Sequence, residues 1–211
     1  MIRILLVHDS CLLRSALAAL ISAEPDIGVE QTTWADAHEQ ARLLRPRVCV
    51  ADVDSRAASG PPPEEDLRRL AANCGPAAAK GDEPGRPLVA LVSPERPGPL
   101  RRAYEARALG FVDKNAAPGR LLEAIRRVAA GERFIDASLG LGFLRAAHVP
   151  LTRRELSVLT LAAEGASIAE IAGSLHLSSG TVRNYMAAIT RKTGARNRID
   201  AIRISRVAGW V

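Results

Sequence analysis

The chain has little that points toward a membrane, a secretory route, or metal and disulfide chemistry. Its 211 residues contain no run approaching the ~18 uninterrupted apolar residues that a membrane helix needs. The opening stretch Ile2-Arg3-Ile4-Leu5-Leu6-Val7 passes at once into His8 and Asp9, too short and too abruptly polar for a signal peptide. These absences predict a cytoplasmic protein with no membrane part. Cysteine is scarce, and Cys11, Cys49 and Cys74 are odd in number and far apart. With no Cys-x-x-Cys and no Cys/His ligand spacing, they read as small apolar residues in a reduced compartment, not as a disulfide scaffold or zinc site. Gly-x-Gly-x-x-Gly, the Walker loop and Gly-x-Ser-x-Gly are also missing, which argues against an enzyme on a doubly wound fold. No internal repeat is visible.

What is present fits a soluble protein with a real core. Hydrophobic residues make up 47% and charged residues 25% of the chain, and its length allows two small domains. The net charge of +6 is unevenly placed: residues 150–211 carry nine Lys/Arg against four Asp/Glu, whereas the first 149 carry 20 against 19. A basic C-terminal third suggests a polyanion partner for that end.

The first part alternates short apolar runs with helical periodicity. Strands are expected at Ile2–Val7, Gly28–Thr33, Val48–Ala51, Leu88–Val92 and Phe111-Val112. Helices are expected at Leu12–Ala23, Asp36–Leu44 (stopped by Pro46), Glu64–Ala72, Ala103–Leu109 and Leu121–Ala130. Strands that are hydrophobic throughout, alternating with helices, imply a parallel sheet covered on both faces. Pro61-Pro62-Pro63 opens the third helical stretch, and Gly75–Pro87 reads as a long surface loop. Residues 136–150 read as an irregular connector. The domains are accordingly expected at 1–133 and 150–211, with a linker at 134–149.

From Leu151 the pattern is purely helical. Thr152 with Glu155 three residues on makes a capping box. The helix it starts runs to about Ala163, and Gly165 ends it. Ser167 caps a short helix over Ile168–Leu175, and His176-Leu177-Ser178 forms a tight turn. Ser178 or Ser179 caps a third helix, Thr181–Lys192, with Val182, Met186 and Ile189 inward; a fourth covers Asp200–Val207. Two short helices joined by a tight turn match the helix-turn-helix plan. Outward on the third helix lie Thr181, Arg183, Asn184, Ala187, Ala188, Arg191 and Lys192. Arg can read guanine and Asn adenine in the major groove, while Ser, Thr and Lys suit phosphates.

The segments LTRRELSVL, EGASIAEIA and LSSGTVRNYMAAITRKTGARNR resemble the LuxR-type helix-turn-helix of NarL/FixJ response regulators, over essentially all of Leu151–Trp210. By that resemblance Thr181-Val182-Arg183-Asn184 open the recognition helix. Arg183 and Asn184 fall at base-contacting positions, Arg191 and Lys192 at phosphate-contacting ones, and Ser178, Ser179 and Arg196 complete the candidate DNA surface. Ala187 stands where a basic contact residue often sits, which narrows the base readout.

The resemblance also implies a flavodoxin-like (CheY-like) receiver in the first domain. Such a domain moves a phosphoryl group from a histidine kinase to its own Asp, using nearby acids to hold Mg²⁺ and a hydroxyl and a Lys to bind phosphoryl oxygens. Asp9, Asp52, Ser93 and Lys114 each fall at a strand terminus in the required order. Asp52 takes the phosphoacceptor position, with Asp54 as the alternative, and Phe111 takes the aromatic switch position. The family's paired acids after the first strand are here His8-Asp9, and the stretch after Asp52 reads Val-Asp-Ser-Arg where the family has a hydrophobic-x-Met-Pro pattern. Only Asp9 and Asp52 remain to hold Mg²⁺, a weak site, because imidazole suits softer metals. The receiver is therefore atypical, and phosphorylation by a kinase and sensing of a small-molecule ligand in the crevice both stand as modes of control. Double-stranded DNA is the expected partner. A homodimer is expected on it, since one short recognition helix reads too few base pairs to select a site alone.

Overall fold

The computed structural model describes residues 1–54, 64–75, 85–147 and 149–211. Its contacts divide the chain into two compact units, Met1–Phe143 and Leu144–Val211.

The first unit is a doubly wound parallel sheet. Its strands are β1 (Ile2–Val7), β2 (Ile27–Thr32), β3 (Val48–Asp52), β4 (Arg86–Val92), β5 (Ala108–Asp113) and β6 (Phe134–Ile135). They lie in the order β2-β1-β3-β4-β5-β6, every pair parallel. The intervening helices are α1 (Cys11–Ser22), α2 (Ala37–Leu44), α3 (Glu64–Ala72), α4 (Pro97–Glu105) and α5 (Pro118–Ala129). Because side chains alternate across a strand, Val48 and Val50 join Ile4, Leu6, Ile21, Leu121, Ile125 and Val128 in one core. Cys49 and Ala51, buried as fully, belong to the other face. The order 2-1-3 reverses direction at β1 and β3, so the loops after those strands diverge and leave a crevice at their carboxyl ends. That crevice holds His8, Asp9 and Asp52.

Several boundaries differ from the sequence reading. The fourth helix was expected over Ala103–Leu109, but α4 ends at Glu105 and β5 already begins at Ala108. The Ala-rich run is helical in periodicity, yet Arg107 takes a left-handed conformation (φ 61°) that breaks the helix. Gly110 then lets β5 lie close to its neighbours: a Cβ there would sit 2.8 Å from Val89 Cγ2. The segment expected to be irregular contains a 3-10 turn at Ala137–Leu139 and helix α6 at Gly140–Ala147. Phe134 and Ile135 pair with Gly110 and Phe111 as a sixth strand. Two residues are too few for a periodicity to show. The Pro61-Pro62-Pro63 opening and most of the expected Gly75–Pro87 loop lie outside the described residues.

The second unit contains α7 (Arg153–Ala163), α8 (Ile168–Leu175), α9 (Ser179–Thr193) and α10 (Arg198–Ala208). Its termini are set by local chemistry. Thr152 with Glu155, and Ser167 with Glu170, form full capping boxes. The Ser178 hydroxyl accepts from the Thr181 amide, and the Asn197 side chain from that of Asp200. Ser178, not Ser179, is thus the cap of α9. Gly165 (φ 97°) ends α7, a conformation that favours glycine. His176 (φ 54°) makes the sharp corner between α8 and α9. The core is Leu151, Val158, Leu159, Ala162, Ile171, Ala172, Val182, Met186, Ile189 and Ala201.

Candidate functional site

Asp52 closes β3 and is almost fully buried. Its Oδ1 accepts from Lys114 Nζ at 2.5 Å and from the Asp54 amide at 2.9 Å. Its Oδ2 lies 3.3 Å from His8 Nε2. His8 follows β1 and is equally buried; its Nδ1 accepts from the Ser10 amide at 3.0 Å. A backbone N–H can only donate, so Nδ1 carries the lone pair and the proton of the neutral ring sits on Nε2, facing Asp52. Burial lowers the His8 pKa below its ordinary value; Lys114 and Arg14 act in the same direction, against the attraction of Asp52 and Asp9. The neutral imidazole therefore turns its Nε2–H side toward the Asp52 carboxylate, in contact at 3.3 Å.

Asp54 is as buried as Asp52 and belongs to the same network. Its Oδ2 accepts from the Ser93 hydroxyl at 2.5 Å and pairs with Lys114 Nζ at 3.0 Å. Its carbonyl accepts from Arg96 at 2.7 Å. Its Oδ1 has no hydrogen-bond partner among the described residues. Asp9 turns the other way: its Oδ1 accepts from the Trp34 amide at 2.8 Å, while the Trp34 indole N–H donates to the Asp52 carbonyl at 2.8 Å. The structure thus brings His8, Asp9, Asp52, Ser93 and Lys114 to the carboxyl ends of neighbouring strands. Phe111 is fully buried in β5, with its ring edge-on to Phe143 at 5.1 Å.

Receivers of this kind imply Mg²⁺, and the residues present do not fit it. The Lys114 ammonium stands between the Asp52 and Asp54 carboxylates and serves as the cation of the pocket. The nitrogen that replaces the missing acid is protonated. Among the described residues no three His, Cys, Asp or Glu are arranged to hold a metal ion.

Trp34, Arg14, Arg96 and the double engagement of Asp54 escaped the sequence reading. Trp34 sits in a polar stretch after β2 with no motif around it, and only the fold carries its indole to Asp52.

On α9, Arg183, Asn184, Ala187 and Arg191 are exposed on a common surface, opposite the buried Val182, Met186 and Ile189. Spacings of one, four and eight residues keep them on one side of a helix. Arg183, Asn184 and Arg191 engage no partner among the described residues. Other basic groups serve the fold. Lys192 Nζ pairs with Glu155 Oε2 at 2.8 Å, Arg198 donates to the Ala162 and Ala166 carbonyls, and Arg206 donates to the Ala163 carbonyl. Arg196 leans on Asp200 at 3.5 Å. Ser178 is exposed and Ser179 and Thr181 are half-buried at the start of the helix.

A parallel α/β sheet with an acid-and-lysine pocket at its carboxyl edge, in one chain with a helix-turn-helix, defines a response regulator that acts on DNA. Residues 149–205 match the family described as bacterial regulatory proteins, luxR family. The chain is 51% identical to the response regulator RamR of Streptomyces coelicolor over 212 residues, covering 100% of this chain and 98% of that protein. It is 34% identical to the transcriptional regulatory protein DesR of Bacillus subtilis over 212 residues, covering 100% and 99%. Among solved structures, RcsB, captured as two dimers bound to two parallel DNAs, superposes with a TM-score of 0.63 at 18% identity over 98% of each chain. The chain belongs to the NarL/LuxR family of response regulators: it is a DNA-binding transcription factor, not an enzyme. No helix among its described residues is long and apolar enough to cross a membrane.

Proposed function

We propose that this regulator binds its operator as a homodimer in the cytoplasm, through the exposed face of α9, and that its receiver is held in a working state without phosphorylation. The observation that carries this reading is the His8–Asp52 contact. In a phosphorylatable receiver the acceptor carboxylate must keep an oxygen open to the incoming phosphoryl group, beside a cation that neutralises charge. Here Oδ1 holds Lys114 and the Asp54 amide, and Oδ2 faces the protonated nitrogen of His8. The pocket is electrostatically closed by its own side chains. Asp52 is kept as the acceptor by its place at the end of β3; Asp54, whose Oδ2 is held by Ser93 and Lys114 while its Oδ1 has no partner among the described residues, stands as the alternative.

On the DNA side, Arg183 and Asn184 supply base readout, while Arg191, Arg196, Ser178, Ser179 and Thr181 supply phosphate contacts. Lys192 contributes charge but also holds Glu155. The receiver is assigned to residues 1–133, a connector to 134–149 and the DNA-binding domain to 150–211; the division between compact units at residue 143 falls inside that connector. The experiment is incubation with acetyl phosphate and Mg²⁺ followed by intact mass, in parallel with operator binding by untreated protein. Tight, specific binding by protein that carries no phosphate supports the reading. Binding that appears only after stoichiometric phosphorylation sinks it.

A second reading rests on a cavity of about 240 Å³ that opens beside His8 and Lys114, walled by Leu13, Leu17, Leu20 and Leu121. Its apolar walls and polar mouth suit a small ligand, whose binding would take the place of phosphorylation as the signal.

A further inference from the structure

We propose that Cys49 and Cys74 are an oxidative modification site, forming a reversible intramolecular disulfide that fastens the end of α3 to the strand carrying Asp52. Their Sγ atoms lie 2.7 Å apart, about 0.7 Å from the ~2.05 Å of an S–S bond. Spacing in the sequence separates these residues, but the fold joins them.

Both ends are held in place by backbone hydrogen bonds. Cys49 sits inside β3, between Leu5 on β1 and Leu88 on β4, and Asp52 ends the same strand. Cys74 follows α3; its amide donates to the Ala71 carbonyl at 3.3 Å. The next amide, Gly75, donates to the Pro46 carbonyl at 2.8 Å, which pins this turn to the segment that leads into β3. Closing the bond therefore asks for small side-chain movements and no refolding. The loop it closes, residues 49–74, contains Asp52, Asp54 and α3.

The two sulfurs are not equivalent. Cys49 is fully buried, and burial, aided by the neighbouring thiol, pushes its pKa well up, so it stays a thiol and is shielded from oxidants. Cys74 is half-buried, the more accessible of the two to a small reagent. With a hydroperoxide such as hydrogen peroxide as oxidant, the Cys74 thiolate attacks one peroxide oxygen. The O–O bond breaks, water leaves after taking up a proton, and Cys74 becomes a sulfenic acid. The Cys49 sulfur then attacks the Cys74 sulfur, the S–O bond breaks, and the departing hydroxide takes the Cys49 proton and leaves as water. Two thiols have lost two electrons, and the peroxide has become two waters. In a reducing compartment a bond of this kind is transient and redox-sensing, not structural. The inference is independent of whether Asp52 accepts phosphate.

The test uses the full chain carrying Cys11→Ser, which removes the exposed third thiol. After brief peroxide treatment and alkylation under denaturing conditions, the protein should be monomeric and two hydrogens lighter, with peptides containing Cys49 and Cys74 linked. Dithiothreitol should restore both thiols. The oxidised receiver should melt about 5–10 °C higher, because a loop of this size is closed in the unfolded chain. Cys49→Ala should strand Cys74 as a sulfenic acid that dimedone traps, and Cys74→Ser should leave Cys49 reduced. Cys74 oxidised while Cys49 stays alkylatable in the Cys11→Ser protein, or Cys74 crosslinked between chains, would overturn the proposal.

Discussion

The His8 imidazole and the Asp52 carboxylate face each other across the ends of β1 and β3, Nε2 to Oδ2 at 3.3 Å. The ring presents a proton because the Ser10 amide occupies its other nitrogen. An acid at position 8 would repel Asp52 and need a metal ion between the two; the neutral imidazole approaches it without that repulsion. The pocket thus holds a neutral ring where the resemblance implies a second acid, beside a Lys114 ammonium shared by Asp52 and Asp54.

Phosphorylation from acetyl phosphate should accordingly be slight in the wild type. His8→Asp should gain a measurable phosphorylated fraction in the presence of Mg²⁺, and Asp52→Asn should abolish it. Intact mass spectrometry reads both. Stoichiometric labelling of the wild type at low Mg²⁺ would show that His8 does not close the pocket, and label on Asp54 would move the acceptor there.

The same contact predicts a pH dependence. Burial holds the folded pKa of His8 below its ordinary value of 6.5, so below that pH the unfolded chain takes up a proton that the folded chain refuses. The contribution of His8 is fully present above about pH 6.5 and is lost as the pH falls through the folded pKa. Trp34 reports the receiver once Trp210 is replaced by Phe. In that background the melting temperature should drop more steeply below pH 6.5 for His8 than for His8→Gln. Parallel curves would mean that the imidazole titrates freely.

Within the DNA-binding unit, Arg183→Ala should weaken operator binding by about 1–3 kcal/mol and relax preference at one base pair. Arg191→Ala should instead weaken all sequences and lower the salt slope by about one. Fluorescence anisotropy on operator and scrambled duplexes separates the two. An Arg183→Ala protein with an unchanged operator footprint would remove α9 as the reading helix.

Lys192 behaves differently from Arg191, because its ammonium is committed to Glu155. Burial would raise the Glu155 pKa, yet the hydrogen bonds from Lys192 and from the Thr152 amide and hydroxyl outweigh it and lower the value. Glu155→Ala removes a capping box and the partner of Lys192 together, and should destabilise the unit by about 1–3 kcal/mol. Glu155→Gln keeps the cap and should lose less. Urea unfolding of the full chain carrying Trp34→Phe, followed by Trp210 fluorescence, gives both. Equal losses would show that the ion pair contributes nothing beyond the cap.

Operator complexes should contain two chains. Sedimentation of the wild type on its operator checks this, and one chain per site would end the dimer reading. One α9 spans too few base pairs to single out a site in a genome.

The helix-turn-helix was legible almost to the residue because its signals are local. Thr152 with Glu155, Ser167, Ser178 and Gly165 act within one turn of themselves, and the inward positions Val182, Met186 and Ile189 repeat at helical spacing. The alternation of strands and helices, and the order Asp9, Asp52, Ser93, Lys114, were likewise visible, since strand ends are where such residues collect. Tertiary structure decided what those residues touch. Lys114 shared between two buried carboxylates, the Trp34 indole on the Asp52 carbonyl, Lys192 on Glu155 and Cys49 against Cys74 all join residues 18 to 62 positions apart. No local periodicity encodes such pairings. They exist because parallel strands order β1, β3, β4 and β5 side by side and helix packing sets α7 against α9, and only that packing brings separate polar residues into one pocket.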